Sequence, residues 1–279
     1  MIINLAKSAG FCFGVKRAIK IALDTANSSS RIYMLGDIVH NEDVVRMIAK
    51  TGVKKIKQLL PGKDKILLIR AHGADTATIH RAVRLGYKIV DATCPMVKEI
   101  HQIAQDMENK GYRIIVIGDK KHDEVHGIVG HLKNKAIVID NPKYIPLRKI
   151  KNIHKASVVV QSTQNPDNTM AILDILRQHI PELKFFNTIC KPTRIKQEEI
   201  KILPLENDVM IIIGSKNSAN TKRLYEISKS LNKKSYWVNS KEEIKPSWFK
   251  GIKKAGISAG ASTPEMIIRE VIGYIKKIA

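Results

Sequence analysis

Three cysteines recur at matching places in a threefold sequence repeat. Each is followed, 24 residues later, by a glycine that ends a short apolar run. The cysteines are Cys12, Cys94 and Cys190, and the runs end at Gly36 (RIYMLG), Gly118 (RIIVIG) and Gly214 (VMIIIG). A repeat of about 90 residues predicts three similar structural units. If such units pack around a common axis, the three thiols meet at its centre, which indicates a metal cluster.

Chain length limits the size of these units. A chain of 279 residues with 44% hydrophobic residues can bury several modest cores. We therefore predict three small α/β domains, at 1–93, 94–188 and 189–279, with one cysteine each. No apolar run approaches the roughly 18 residues of a membrane span, and a signal-peptide core is lacking. An odd number of distant cysteines is not typical of a disulfide framework, so we expect a cytoplasmic protein with reduced thiols.

The spacing of apolar residues predicts alternating helices and strands. Helical spacing follows each cysteine, with Pro95 as a first helical position, Gly111 as a C-cap and a break at Pro204 in the third repeat. A second apolar run in each repeat ends in a small polar turn: 66–69 before AHG, 158–160 before QSTQ, and Ile257 before SAGAST. This alternation is typical of parallel sheets, whose ligands bind beyond the carboxyl ends of the strands.

Polar residues concentrate in the loops expected at those strand ends. The first loop of each repeat reads GDIVHN (36–41), GDKKHDE (118–124) or GSKNSAN (214–220). Together with AHG and AGAST, these loops supply donors suited to an oxyanion such as a diphosphate: His40, His72, His122, Ser218, Asn220 and Ser262. A single such histidine is more often structural than a ligand contact, but recurrence after strands favours binding.

Glu124 is the candidate proton carrier of these loops. A carboxyl group in a partly desolvated pocket can hold a proton at neutral pH. Its alternative roles are an N-cap or a surface charge. Ser162 and Thr163, in the QSTQ turn, offer hydroxyl groups nearby in the inferred fold.

The three cysteines allow three interpretations. Buried apolar thiols are usual for single cysteines and less so for three in register. Structural zinc normally draws on closely spaced pairs such as C-x-x-C, which this sequence lacks. An iron–sulfur cluster accepts widely separated ligands, and three thiolates on a four-iron cluster leave one iron open to substrate. Such an iron could act as a Lewis acid and an electron donor.

The net charge of +22 raises nucleic acid as a partner. The lysines are, however, spread along the chain, aromatic residues make up only 5%, and no base-stacking motif is present. We therefore expect no nucleic-acid function. We expect the basic surface to attract acidic partners or an anionic substrate instead.

A set of ordered motifs resembles one enzyme family. GFCFGVKRAI, VHN, AHG, DATCP, HDEV, TIC, GSKNSAN and AGAST, in this order, resemble the 4-hydroxy-3-methylbut-2-enyl diphosphate reductases, which catalyse the last step of the non-mevalonate isoprenoid pathway. The match spans nearly the whole chain, and the ordered set is specific although each motif alone is not. The resemblance implies three α/β domains in a pseudo-threefold trefoil around a 4Fe-4S cluster with one open iron.

The resemblance also implies residue roles and a reaction. Cys12, Cys94 and Cys190 would hold the cluster, and Glu124 would relay protons. The substrate would be bound by His40, His72, His122, Ser162, Ser218, Ala219, Asn220 and Ser262. The implied reaction is a two-electron reductive dehydroxylation that gives isopentenyl or dimethylallyl diphosphate, with electrons from a reduced ferredoxin or flavodoxin.

Three departures from the family pattern stand out. Ala219 stands where a second serine is usual, Ser162 where threonine is usual, and KPTRIK (191–196) differs after the third cysteine. We expect diphosphate binding to survive, because Ser218, Asn220 and Ser262 remain. The rivals are a dehydratase resembling quinolinate synthase, which also uses three cysteines, and a zinc-stabilised basic binding module without catalysis.

Overall fold

Strands and helices alternate along the chain in this computed structural model, which describes residues 1–29 and 31–278. The strands are β1 (Ile2–Leu5), β2 (Ile32–Leu35), β3 (Lys54–Ile56), β4 (Lys65–Ile69), β5 (Tyr87–Asp91), β6 (Arg113–Ile117), β7 (Ile137–Ile139), β8 (Lys155–Val160), β9 (Glu182–Phe185), β10 (Val209–Ile213), β11 (Ser235–Val238) and β12 (Lys254–Ala259). The helices are α1 (Phe13–Ser28), α2 (Glu42–Ala49), α3 (Thr76–Arg84), α4 (Pro95–Asn109), α5 (Asp123–Gly130), α6 (Leu147–Ile150), α7 (Pro166–Arg177), α8 (Lys191–Glu206), α9 (Ala219–Leu231) and α10 (Glu265–Ile278). Short 3-10 helices lie at Pro142–Tyr144, Lys241–Glu243 and Pro246–Phe249.

Within the described residues, the strands form three sheets of one topology. Their orders are β3-β2-β4-β5, β7-β6-β8-β9 and, written in the same direction, β11-β10-β12-β1. The neighbouring strands pair in parallel throughout. Parallel neighbours need crossover connections, which the intervening helices supply. The predicted α/β fold class, with one small parallel sheet per repeat, is confirmed.

The first strand belongs to the sheet of the last repeat. β1 pairs with β12, from Ile2 beside Lys254 to Leu5 beside Ile257. Each sheet therefore ends in an edge strand that leads into a cysteine: β1 precedes Cys12, β5 precedes Cys94 and β9 precedes Cys190. The domain boundaries predicted from the cysteine spacing stay predictions. The strand pairing differs from them at the N-terminus, where β1 joins strands of the third segment.

The helices that follow the first two cysteines begin as predicted. α1 starts at Phe13, directly after Cys12, and α4 starts at Pro95, directly after Cys94. Gly111 lies one residue beyond the C-cap of α4 with a φ of +79°. A left-handed residue at this position is the usual end of a helix and suits glycine.

The predicted break of the third helix at Pro204 is wrong. α8 passes through this proline and ends at Glu206. Because Pro204 lies in the last turn, its missing N–H group interrupts little of the helix. The carbonyl groups of this turn have other partners: Asn207 Nδ2 donates to Leu203 O (2.8 Å), and Asn232 Nδ2 donates to Pro204 O (3.1 Å).

The central strands are buried on both faces. All five residues of β10 and the last five of β8 have no exposed surface. Parallel sheets covered by helices produce such continuous apolar strands, in contrast to the alternating pattern of half-exposed sheets. Rigid strands of this kind fix the positions of the turns that follow their carboxyl ends.

Contacts divide the chain into two compact units. The first unit comprises residues 1–16, 39–47 and those from Lys191 onward, and it holds the sheet β11-β10-β12-β1. The second unit comprises residues 17–38 and 48–190, and it holds the other two sheets. Across the described ranges, no helix combines the length and the apolar character that crossing a membrane would require.

Candidate active site

Each cysteine is tied to a polar turn by the same backbone hydrogen bond. The amide nitrogen of the cysteine donates to a carbonyl in the turn after the third strand of a sheet. The three bonds are Cys12 N to Ala261 O (3.1 Å), Cys94 N to Ala71 O (2.9 Å) and Cys190 N to Ser162 O (3.0 Å). The threefold repeat in the sequence is therefore a threefold repeat of local structure, which holds every cysteine beside one of the predicted turns.

The surroundings of the cysteines suit thiolate ligands. All three are half-buried, and each lies directly before the first residue of a helix. The positive end of a helix stabilises a negatively charged group bound beside it. Among the described residues no cysteine forms a disulfide. Three half-buried sulfurs, fixed by backbone bonds at helix N-termini, fit a thiolate-bound metal cluster in the chemistry of their donor atoms.

Glu124 lies in the second unit, at the carboxyl ends of β6 and β8. The sequence placed it in a loop, but it is in the first turn of α5, with His122 as the N-cap. The His122 ring accepts a hydrogen bond from Glu124 N at its Nδ1 atom (3.1 Å). The Glu124 carboxylate accepts hydrogen bonds from Ser162 N (2.6 Å) and Ser162 Oγ (2.7 Å).

Burial changes the acidity of Glu124. The residue is only 2% exposed, and this burial raises the pKa of its carboxyl group, although the two hydrogen bonds from Ser162 oppose the shift. A surface charge is therefore excluded as its role, and the cap of α5 is His122. A buried carboxyl group with a raised pKa can hold a proton and release it.

Two histidines and a glutamine complete this part of the site. The rings of His72 and His122 are nearly perpendicular, with centroids 5.5 Å apart. Gln161, which has no exposed surface, accepts a hydrogen bond from Asp119 N (2.8 Å) and donates one to Thr163 Oγ1 (3.0 Å). Gln161 thus joins the loop after β6 to the turn after β8. The sequence pattern does not predict this role, although the residue opens the QSTQ turn.

The first unit contains a second cluster of predicted residues, at the carboxyl ends of β10 and β12. Ser218 is the N-cap of α9 and accepts a hydrogen bond from Thr221 N (3.3 Å). Asn220 is buried, and its Oδ1 atom accepts a hydrogen bond from Ala261 N (2.9 Å). Its Nδ2 atom has no hydrogen-bond partner among the described residues. A buried amide group of this kind has two N–H bonds available for an anion.

The same cluster includes His40 and Ser262. Ser262 Oγ donates to the backbone oxygen of His40 (3.1 Å). Glu42, at the start of α2, accepts hydrogen bonds from Ser215 Oγ (2.8 Å) and Asn217 Nδ2 (3.1 Å). These bonds hold the VHN segment against the GSKNSAN and AGAST turns. Of the predicted site residues, the first unit therefore brings together His40, Ser218, Ala219, Asn220 and Ser262.

The LytB protein family matches residues 3–276 of this sequence. The chain belongs to the LytB family. One relative, the 4-hydroxy-3-methylbut-2-enyl diphosphate reductase of Geobacter metallireducens, is 41% identical over 279 residues, which cover 100% of this chain and 98% of the relative. The resemblance stated from the motifs is confirmed, as is the prediction that the chain is an enzyme of this family.

Two solved structures are similar to this LytB chain. One is a structure of (E)-4-hydroxy-3-methyl-but-2-enyl diphosphate reductase, described as the terminal enzyme of the non-mevalonate pathway; it is 39% identical, with a TM-score of 0.73, and the match covers 99% of this chain and 100% of that one. The other is the reductase of Plasmodium falciparum, with 28% identity, a TM-score of 0.89, and coverage of 98% and 87%. Both support the α/β fold class.

The departures of this LytB chain from the motifs have distinct structural settings. Ser162 provides both donors to Glu124, so its hydroxyl is engaged. Ala219 is buried at the first position of α9, between Ser218 and Asn220. KPTRIK forms the start of α8 and supplies Lys196, which is only 2% exposed. The sequence marks the KPTRIK segment as a departure but does not distinguish Lys196 from the many other lysines of this basic chain.

Proposed function

We propose that this enzyme reduces 4-hydroxy-3-methylbut-2-enyl diphosphate to isopentenyl and dimethylallyl diphosphate. The observation that carries the proposal is the buried Glu124–Ser162 pair, which lies at the carboxyl ends of β6 and β8 and beside the backbone of Cys190. The names of the relatives give the substrate, and the pair gives the chain a means of moving protons. In the reaction the allylic carbon–oxygen bond breaks, two electrons and two protons enter, and water leaves.

We propose a 4Fe-4S cluster, held by Cys12, Cys94 and Cys190, as the cofactor. When bound, the cluster would supply the two electrons singly and an open iron as a Lewis acid for the alcohol oxygen. The equivalent settings of the three cysteines support this assignment. A reduced ferredoxin or flavodoxin would be the donor, since such proteins are typically acidic and this chain carries a net charge of +22.

Glu124 serves as the proton carrier in this proposal. Its burial keeps a proton on the carboxyl group at a pH at which an exposed glutamate has lost it. The proton passes toward the departing hydroxyl group, and the Ser162 hydroxyl orients that group beside the acid. Because the carboxylate that remains accepts two hydrogen bonds from Ser162, the charged form is stabilised after the transfer.

The diphosphate takes its hydrogen bonds from side-chain donors of the site. Asn220 contributes its Nδ2 group and Ser218 its hydroxyl group. Ser262 contributes its hydroxyl group by exchanging its bond to His40 O for one to the diphosphate. His40, His72 and His122 contribute ring nitrogens. Small and neutral donors at the N-terminus of α9 suit an anion because the helix end is itself positive.

An anaerobic purification tests the function directly. The visible spectrum and the iron content are measured first, and then the substrate and a reductant are added and the products are separated by chromatography. We expect a brown protein that forms isoprenoid diphosphates. A colourless zinc protein would contradict the proposal. A brown protein that leaves the substrate unchanged would point to the dehydratase rival or to a loss of function at Ala219 and the KPTRIK segment. Turnover with ferredoxin that does not depend on ionic strength would contradict the electrostatic pairing with the donor.

A further inference from the structure

Two side chains of α8 hold the segment that precedes Cys12. Lys196 Nζ donates hydrogen bonds to the backbone oxygens of Ser8, Gly10 (3.0 Å) and Ala259 (3.3 Å). One turn later, Glu199 accepts hydrogen bonds from Lys7 N (3.0 Å), Ser8 N (3.0 Å) and Ser8 Oγ. The ammonium group of Lys196 therefore binds carbonyl groups of this segment, and the carboxylate of Glu199 binds its amide groups. All of these residues belong to the first unit.

The segment itself leaves little room for rearrangement. Gly10 has a φ of +92°, and a Cβ atom there would lie 3.2 Å from Ile268 Cδ1 and 3.5 Å from Thr263 O. Cys12, two residues later, is fixed by its bond to Ala261 O. The three acceptors of Lys196 are thus the two carbonyls that lead into Cys12 and one that closes β12. The position of Cys12 depends on this lysine through the backbone.

The ammonium group of Lys196 is poorly solvated. Burial lowers the pKa of this lysine to about 8, and electrostatic interactions with Cys12 and Glu199 oppose the change. The ammonium group is therefore still protonated at neutral pH. A charge that is only 2% exposed is weakly screened and acts strongly on neighbouring charges. Cys12 is one of the residues with which this lysine interacts electrostatically.

We propose that Lys196 is a positioning residue for Cys12 and an electrostatic determinant of the group that Cys12 binds. It holds the Cys12 segment through three carbonyl groups, and its buried positive charge favours the more negative, reduced state of the bound cluster. This inference rests on the cluster assigned in the proposed function. Charge, hydrogen bonding and burial around a cluster are the means by which a protein sets its reduction potential.

The test compares three variants of the full chain, purified without oxygen. Lys196→Met removes the charge and the donors, Lys196→Arg keeps both, and Lys201→Met removes one charge from an exposed position on the same helix. The reduction potential is measured by an EPR-monitored titration, and amide hydrogen exchange of residues 6–12 is followed by mass spectrometry. Residues 88–94, which lead into Cys94, serve as the internal reference for exchange.

We expect Lys196→Met to lower the potential, so that the ratio of reduced to oxidised cluster at a fixed applied potential falls on the order of tenfold. Exchange of residues 6–12 should become faster while exchange of 88–94 is unchanged. Lys196→Arg should restore the potential, and Lys201→Met should leave both measurements unchanged. If Lys196→Met does not yield folded protein, Lys196→Gln, which keeps one donor, replaces it with the same expectations.

Two results would overturn the inference. An unchanged potential with unchanged exchange in the neutral variant would show that Lys196 neither positions Cys12 nor acts on the cluster. An equal fall in the reduction potential of Lys201→Met would show that the potential depends on the net charge of the protein and not on the position of Lys196. Failure of the cluster assignment is distinguishable from both, because wild-type protein would then contain no cluster, while the exchange measurement would still report on the positioning role. Failure of the proposed reaction alone would leave the cluster, its potential and the exchange measurement in place.

Discussion

The N-termini of α5 and α9 are two versions of one structure. Each helix follows an inner strand of its own sheet, and in each the second residue after the N-cap turns toward the neighbouring strand end. In α5 that residue is Glu124, which contacts Ser162. In α9 it is Asn220, which contacts Ala261. Ser162 and Ala261 are equivalent as well, since each accepts the backbone hydrogen bond of a cysteine.

A carboxyl group in one copy and an amide group in the other separate two functions. Both oxygens of Glu124 accept hydrogen bonds, and burial raises its pKa, so this position can carry a proton. Asn220 cannot titrate in this range; its oxygen accepts one hydrogen bond, and its Nδ2 group is left to donate. In the proposed function, one local fold therefore serves proton transfer in one copy and anion binding in the other, and the difference depends on a single side chain.

Glu124→Gln should have the largest effect on activity. It replaces the carboxyl group at the start of α5 with the kind of amide group that α9 has at the equivalent position. The glutamine keeps the size of the side chain and can still accept from Ser162 N, so the protein should fold and keep its iron. Turnover should fall by about 10²- to 10⁴-fold, the usual contribution of a general acid. Steady-state rates and iron content per chain check both statements.

The matched control for this variant is Asp174→Asn. Asp174 is an exposed carboxylate of the same unit, paired with Arg177 on the surface of α7. Its substitution should leave turnover within experimental error of the wild type. Normal turnover in Glu124→Gln would remove Glu124 from the mechanism and would leave the two helix N-termini without a functional difference.

Asn220→Asp makes the reverse exchange and should chiefly weaken substrate binding. The new carboxylate offers no donor to the diphosphate and repels it. Loss of one hydrogen bond to a charged group corresponds to roughly 1.5–3 kcal/mol, so KM should rise at least about tenfold while kcat changes less. Asn152→Asp adds the same charge at an exposed residue of the other unit and should not change KM. A fall in kcat at constant KM would assign Asn220 to the chemical step instead.

The sequence predicted the parts of the structure that depend on local patterns. The spacing from each cysteine to the next apolar run corresponds to a helix and a strand, and both are present in every repeat. The sequence could not show that β1 pairs with β12, because that pairing joins opposite ends of the chain. The break predicted at Pro204 is wrong because the effect of a proline depends on how many helical turns follow it.

For the site, residue types were predictable but their partners were not. Motifs pointed to Glu124, whereas its burial and its two bonds to Ser162 depend on the packing of β6 beside β8. The sequence does not predict a role for Lys196, because no local pattern shows which lysine of a chain will be buried. Its role depends on backbone carbonyl groups of Ser8 and Gly10, which lie in a distant part of the sequence.

Ser162→Ala tests the difference between the two helix N-termini in a second way. It gives the turn beside Glu124 the alanine that the equivalent turn has at Ala261. It removes the side-chain hydrogen bond that lowers the Glu124 pKa and keeps the backbone one. The pKa of the acid should therefore rise further. Because the acid works in its protonated form, activity is lost as pH rises through this pKa, and the alkaline limb of the kcat profile should move to higher pH. A shift to lower pH would contradict the assignment of Glu124 as the acid.

Ala219→Ser is the mildest change and tests whether the anion-binding copy tolerates another hydroxyl group. Ala219 is buried between two residues of the proposed diphosphate site, so a serine there can add one donor. A hydrogen bond of this kind contributes about 0.5–1.5 kcal/mol, so KM should stay the same or fall modestly, with no change in kcat or in the pH profile. The matched control is Ala171→Ser, which adds the same hydroxyl group at an exposed position of α7 and should leave KM unchanged. A large rise in KM for Ala219→Ser alone would show that this loop is misaligned with the family motif, and the contrast between Asn220 and Glu124 would then need another explanation.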